Sequence, residues 1–221
     1  MDFVLDIYPK LEELEAWSID KDENNENVAS FQCIIDYTSL KSGKFVAQYL
    51  FDSSKFESLV KDNNWKKRVL ALDIIFYSGE GCRTYYEPLL SNILELICSL
   101  ATDSLPKVRW SLCNCIGQLS TEFAPFIHEN HHNILFTTVF TLTDDKDGFV
   151  SNHAAAAQFN LYDASPKEII EIYGSRYLDI LIDQLKDLDT VTVEQLKALS
   201  SYVDGIEHLE VSLAVLFNFI Q

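Results

Sequence analysis

Glycine and proline are scarce in this chain, at 7 and 5 of its 221 residues. Tight turns draw on both. Their shortage argues against a sandwich or barrel of many short strands and for long helices with brief connectors. Basic residues are short too: Lys and Arg number 17 against 34 Asp and Glu, a formal net charge of −17. A surface this acidic repels phosphate backbones, so nucleic acid is not an expected partner, whereas basic peptides and basic surfaces are. Long apolar runs are missing: nothing approaches the roughly 18 residues that cross a bilayer, and no membrane insertion is expected. The N-terminal stretch MDFVLDIYPKLEELEAW is acidic and lacks the charge pattern of a signal peptide. The five cysteines, Cys33, Cys82, Cys98, Cys113 and Cys115, are odd in number and fit no disulfide spacing. They read as small core residues in a reducing compartment, which places the chain in the cytoplasm or nucleus.

What is present is apolar residue at 48%, in blocks of helical period. Phe3, Ile7, Leu11 and Leu14 mark a helix over 2–17. The polar run Asp20 to Asn27 has the composition of a solvated acidic loop. Breaks then recur near Ser42-Gly43, Asp62-Asn63, Gly79-Gly81, Thr102-Ser104, Ala124-Pro125, Asp144-Gly148, Ser165-Pro166, Asp187-Thr190 and Asp204-Gly205. First helices are expected near 27–40, 64–79, 105–122, 147–163 and 190–205. Second helices are expected near 43–61, 85–102, 125–143, 167–187 and 207–220. The organisation is thus 1–19 as the second helix of a partial repeat, 20–27 as an acidic loop, and 28–221 as a solenoid.

Four of the blocks open alike, and taking Arg68, Arg109, Ser151 and Glu194 as equivalent gives steps of 41, 42 and 43 residues. A two-helix unit with a period in the low forties is the signature of HEAT or armadillo repeats. The small residues from Cys113 to Gly117 and Ala154 to Ala157 let stacked helices approach closely. The expected fold is all-α: a right-handed superhelical solenoid of about five HEAT repeats built from antiparallel helix pairs.

A second period runs through polar residues at the far ends of the first helices. Asp36, Glu80, Glu122, Asn160 and Asp204 are separated by 44, 42, 38 and 44 residues. Equivalent places on stacked repeats line up along one surface. Carboxylates in such a row meet the ammonium or guanidinium groups of an extended basic peptide through several charge-assisted hydrogen bonds. Spacing alone favours polar helix ends without a ligand.

Three other constellations carry less. His128 and His132 are four apart within HENHH, on one helix face, but the run is not a metalloprotease motif and supplies no third ligand. It reads as a polar helix start with one inward histidine. Cys113 and Cys115 point apart on a helix. No nucleophile elbow and no phosphate-binding glycine loop is present; Gly79-Glu80-Gly81 reads as a helix break. The aromatics Phe76, Tyr77, Trp110, Phe149, Phe159 and Tyr162 fall at helical spacing and read as core. The chain is expected not to be an enzyme and to need no cofactor or metal.

The run from Val108 to Pro125, VRWSLCNCIGQLSTEFAP, resembles the importin-beta superfamily, specifically its karyopherin beta-three (importin five) branch, whose pattern there is V-R-x-x-x-C-N-x-x-G-Q-x-S-T-D-F-x-P. Trp65 to Arg68 with Glu80-Gly81-Cys82, and His153 to Ala157, are similar to that branch's W-x-x-R, E-G-C and H-A-A-A-A. The acidic run after Trp17 lies where the family carries an acidic loop. The resemblance is strongest from 64 to 163. It implies a segment of a nuclear transport receptor, present in cytoplasm and nucleus. It implies that Asp36, Glu80, Glu122 and Asn160 lie on the inner surface that binds lysine-rich nuclear localisation signals of cargo, with Glu122 in place of the usual Asp. Asp204 extends the row by spacing only. Nucleoporins and the Ran GTPase are further partners the family implies, although the repeats that grip Ran have no counterpart among these residues. The alternative is a truncated HEAT-repeat scaffold or interaction protein without transport activity.

Overall fold

A computed structural model of the chain describes residues 2–7, 9, 26–52, 54–174 and 176. Among them there is helix and no strand. The helices are α1 (Asp2–Ile7), α2 (Glu26–Phe51), α3 (Lys55–Val60), α4 (Trp65–Tyr86), α5 (Leu90–Cys98), α6 (Pro106–Glu122), α7 (Phe126–Thr143) and α8 (Gly148–Asp163). Residues 167–174 are again helical. No helix among the described residues is long and apolar enough to cross a membrane.

Local chemistry sets several starts. Asn64 accepts the Lys66 N–H at 3.0 Å to cap α4, and Asp147 accepts from Phe149 and Val150 to cap α8. Pro106 occupies the first turn of α6, where a missing N–H costs nothing.

The long helices α2, α4, α6 and α8 pack side by side in chain order, and α3, α5 and α7 form a second layer over them. Between the layers lies one continuous apolar core in which Leu70, Ile74, Ile93, Leu112, Ile116, Leu135 and Leu161 are fully buried. The chain is the HEAT-type helical solenoid that its period implies. Packing is closer between α7 and the following α8 than between α7 and the preceding α6.

Two arginines tie these turns together. Arg68 donates Nε and Nη2 to the Asp103 carboxylate at 2.6 and 3.0 Å, and Nη1 to the Asp62 carbonyl. One repeat on, Arg109 does the same to Asp145, at 2.6 and 2.8 Å, and to the Asp103 carbonyl. Each aspartate also accepts a backbone N–H two residues ahead, from Leu105 and Asp147. The result is a buried ladder of two rungs, in which the turns at Asp103 and Asp145 are each held by the repeat before. At the third equivalent position Ser151 stands instead, and among the described residues its hydroxyl bonds the Gly148 carbonyl.

Three expectations need correction. Gly79-Glu80-Gly81 is not a break, because α4 runs unbroken to Tyr86. The glycines are there for close approach: a Cβ on Gly81 would stand 2.4 Å from the Ser39 backbone, and one on Gly43 would stand 2.1 Å from the Gly81 carbonyl oxygen. The division expected at Ser42-Gly43 is present, since α2 is two helices joined at a kink where Ser42 is non-helical (φ −147°, ψ 36°), but the second of them, expected over 43–61, ends at Phe51 and is followed by the separate α3. Cys33 is exposed rather than core, whereas Cys82, Cys113 and Cys115 are buried and Cys98 is half-buried. The acidic run 20–25, most of the 2–17 helix, and everything expected beyond 176, including Asp204 and the apolar stretch 211–220, lie outside the described residues.

Candidate functional site

Asp36, Glu80, Glu122 and Asn160 stand on α2, α4, α6 and α8, one on each successive long helix. The row expected from spacing is thus carried by adjacent helices of one layer. Asp36 and Glu122 are half-buried, Glu80 and Asn160 exposed. Asp204 lies outside the described residues.

Glu122, the last residue of α6, is the most constrained of them. Gln118, one turn back on the same helix, donates Nε2 to Oε1 at 2.7 Å. Oε2 is buried and has no hydrogen-bond partner among the described residues. It lies directly over Gly79 of α4, where a Cβ would come within 1.9 Å of it. Burial pushes the Glu122 carboxyl up from its usual range; the Gln118 hydrogen bond opposes this, the charges of Glu80 and Asp36 add to it, and Arg83 opposes it. The charges of Glu80 and Asp36 are thus felt at Glu122. Arg83 itself is engaged with the Ala124 carbonyl at 3.1 Å and with Glu87 at 3.5 Å.

Asn160 repeats the arrangement one helix on. Its Nδ2 would lie 3.3 Å from a Cβ on Gly117 of α6. A glycine on one long helix thus faces a row residue on the next at both the α4–α6 and the α6–α8 junction. Gly117 lies in the small-residue patch that the sequence marks for close helix approach, whereas sequence reasoning missed Gly79 and Gln118 as parts of this face. The available signal for Gly79 was its place inside an otherwise helical block, which also fits close packing rather than termination.

Chemically the face is an acceptor array. The charges of Glu80 and Asp36 act against the ionised Glu122, and a cation placed beside it offsets that while gaining charge-assisted hydrogen bonds.

The other constellations resolve into structure. His128 is the inward histidine: Nε2 meets the Ser120 carbonyl at 2.8 Å and Nδ1 the Ser165 hydroxyl at 3.1 Å. His132 turns elsewhere, to the Tyr173 hydroxyl at 2.9 Å, so the two do not share a site. Of the aromatics, Tyr162 is buried and the others are half-buried. Trp110 packs with Phe149 and His153, under the Lys107 ammonium at 3.5 Å. Phe76 packs on Tyr77.

No family model matches the sequence. Importin subunit beta-3 of Saccharomyces cerevisiae is 32% identical over 153 residues, which are 68% of this chain and 14% of that protein. The crystal structure of the karyopherin Kap121p bound to the extreme C-terminus of the protein phosphatase Cdc14p superposes with a TM-score of 0.81 at 24% identity, over 97% of this chain and 22% of that one. Kap121p bound to Pho4p gives a TM-score of 0.76 at 26% identity, over 90% and 20%. The chain thus spans about a fifth or less of the length of these relatives.

Proposed function

Because the chain belongs to the importin-beta superfamily, we propose that it is a cargo-binding segment of a nuclear transport receptor. In this reading its acidic face, Asp36, Glu80, Glu122 and Asn160, takes up basic, lysine-rich nuclear localisation segments for import into the nucleus. What supports it is that Asp36, Glu80 and Glu122 stand on three successive long helices, with Glu122 seated against the helix that carries Glu80. A net charge of −17 steers basic peptides towards it.

Binding, not bond chemistry, is the activity. The carboxylates accept ammonium protons and Asn160 offers an amide for the peptide backbone, so no cofactor is required. Kap121p has been crystallised with RanGTP and with Nup53p as well as with Pho4p. By that parallel the partners of the whole receptor include cargo, nucleoporins and the Ran GTPase, and it moves between cytoplasm and nucleus.

The test is the affinity of a fluorescent lysine-rich localisation peptide for the native chain and for Glu80→Ala/Glu122→Ala. The double substitution is expected to weaken binding by about 1–3 kcal/mol, roughly 5- to 150-fold. Equal affinity, or no binding by either protein, rejects the cargo role and leaves the HEAT-repeat scaffold without transport activity.

A further inference from the structure

We infer that Gly79 is a positioning residue for Glu122: by having no side chain it provides the seat in which the carboxylate rests, and so sets where the acidic face presents that charge. The inference rests on the cargo-binding reading for its consequence in affinity, but not for the positioning itself.

The argument starts from two glycines two residues apart in α4. A Cβ on Gly81 would strike backbone, the Ser39 carbonyl carbon at 2.4 Å and the Leu40 nitrogen at 2.5 Å. Neither can yield without moving α2 against α4, so Gly81 is required by the fold. A Cβ on Gly79 would meet something different. Its nearest neighbours are Glu122 Oε2 at 1.9 Å and Glu122 Cδ at 3.1 Å, both at the far end of a flexible side chain. The next, Phe123 Cε2, is at an ordinary 3.5 Å. The helices have room for an alanine at 79; the Glu122 carboxylate does not. Closeness to glycine at this position serves the side chain, not the backbone.

The occupant supports the same conclusion. A buried carboxylate oxygen without a donor is an expensive thing to keep. Glu122 keeps one at Oε2, while Gln118 fixes Oε1 from the other side. Glycine at 79 and the Gln118 amide together hold the group in one rotamer. That rotamer keeps the carboxylate against α4, the helix that carries Glu80, rather than out in solvent. Preorganised acceptors bind a cation without the entropy loss that a free glutamate would incur. Gly117 under Asn160, with a looser 3.3 Å approach, is the same device in weaker form.

The experiment uses the full chain with Gly79→Ala, read three ways: denaturation midpoint, titration of the Glu122 carboxyl by carbon-13 NMR, and affinity for the lysine-rich peptide. The expected result is a midpoint near native, a Glu122 titration that falls towards the ordinary glutamate range as the group swings into water, and a peptide affinity reduced about three- to tenfold. Gly81→Ala serves as the contrast and lowers the midpoint. Rescue is the decisive arm. Glu122→Asp withdraws the carboxylate by one methylene, about 1.5 Å, so in the Gly79→Ala background it relieves the collision, and the double variant binds peptide as Glu122→Asp alone does. An unmoved Glu122 titration in Gly79→Ala overturns the positioning role whatever the affinities are. A moved titration with unchanged peptide affinity upholds the positioning and rejects Glu122 as a cargo contact, so the two readings fail separately.

Discussion

Arg109 grips Asp145 with two parallel hydrogen bonds, Nε to Oδ2 at 2.6 Å and Nη2 to Oδ1 at 2.8 Å, across the span of one repeat. Both side chains are nearly sealed from solvent, at 6% and 9% exposure. Removing the guanidinium leaves a buried, uncompensated carboxylate. Arg109→Leu should therefore cost about 3–5 kcal/mol in a urea titration. Arg68→Leu leaves the equally enclosed Asp103, at 7% exposure, without its guanidinium and should cost a similar amount. Arg109 holds the Asp145 carboxyl below its usual value of 3.8. A depressed folded value gives stability that is present above about pH 4 and lost as pH falls through the folded value. In acid the native protein should thus lose its margin over Arg109→Leu. Equal midpoints at pH 7 would show the pair to be decoration.

The burial of His128 acts at milder pH. It is fully enclosed, with Nε2 donating to the Ser120 carbonyl, and burial pushes its pKa below the usual 6.5. The unfolded chain then takes up a proton that the folded chain refuses. Stability is full above about pH 6.5 and is lost as pH falls from there towards the folded value. His131, half-buried on the same helix, is lowered in the same direction. Comparison with His128→Gln isolates the larger share: the variant is less stable at pH 8, but its stability declines less between pH 6.5 and 5. If the two proteins lose stability in parallel over that range, His128 is not the group responsible.

Much of this was legible before any coordinates, and the misses share a cause. The 41-residue step from Arg68 to Arg109 revealed the repeat because both arginines serve the same turn one repeat apart. What it could not reveal was their partners, Asp103 and Asp145, which stand 35 and 36 residues downstream, the second with Asp144 and Asp147 beside it. Gly79-Glu80-Gly81 reads as a helix end because local propensity penalises glycine. In place, tertiary packing overrides propensity: Gly81 admits the α2 backbone and Gly79 admits the Glu122 carboxylate. The row Asp36, Glu80, Glu122, Asn160 was visible as a period, but depth was not. Spacing treats Glu80 and Glu122 as equivalent, whereas one stands in water and the other is wedged between helices.

Thiol chemistry should separate the cysteines cleanly. Cys33 is exposed. Cys113 is buried with its thiol pushed up to about 12, Cys98 to about 11, and burial raises Cys82 and Cys115 as well. Since the thiolate is the reactive form, an aromatic disulfide reagent at pH 8 should modify one thiol quickly and the other four only on denaturation. Loss of the fast phase in Cys33→Ser assigns it; two or more fast thiols would contradict the buried set.

The difference in depth between Glu80 and Glu122 also governs how salt acts on cargo binding. Raising ionic strength from about 0.1 to about 1 M shortens the Debye length from about 10 to about 3 Å, which screens exposed charges far more than enclosed ones. Glu80 is exposed, so its share of the affinity comes largely through water. Glu122 has a buried oxygen over Gly79 and meets a ligand in a drier setting. The loss of peptide affinity on Glu80→Ala should shrink towards nothing across that range, while the loss on Glu122→Ala should persist. Surface ion pairs are worth about 0–1 kcal/mol at the outset, so the Glu80 effect is expected to be the smaller even at low salt. Should both effects vanish together, Glu122 would be acting as a long-range charge rather than as a seated acceptor. Should neither change, the peptide would be held by something other than this acidic row.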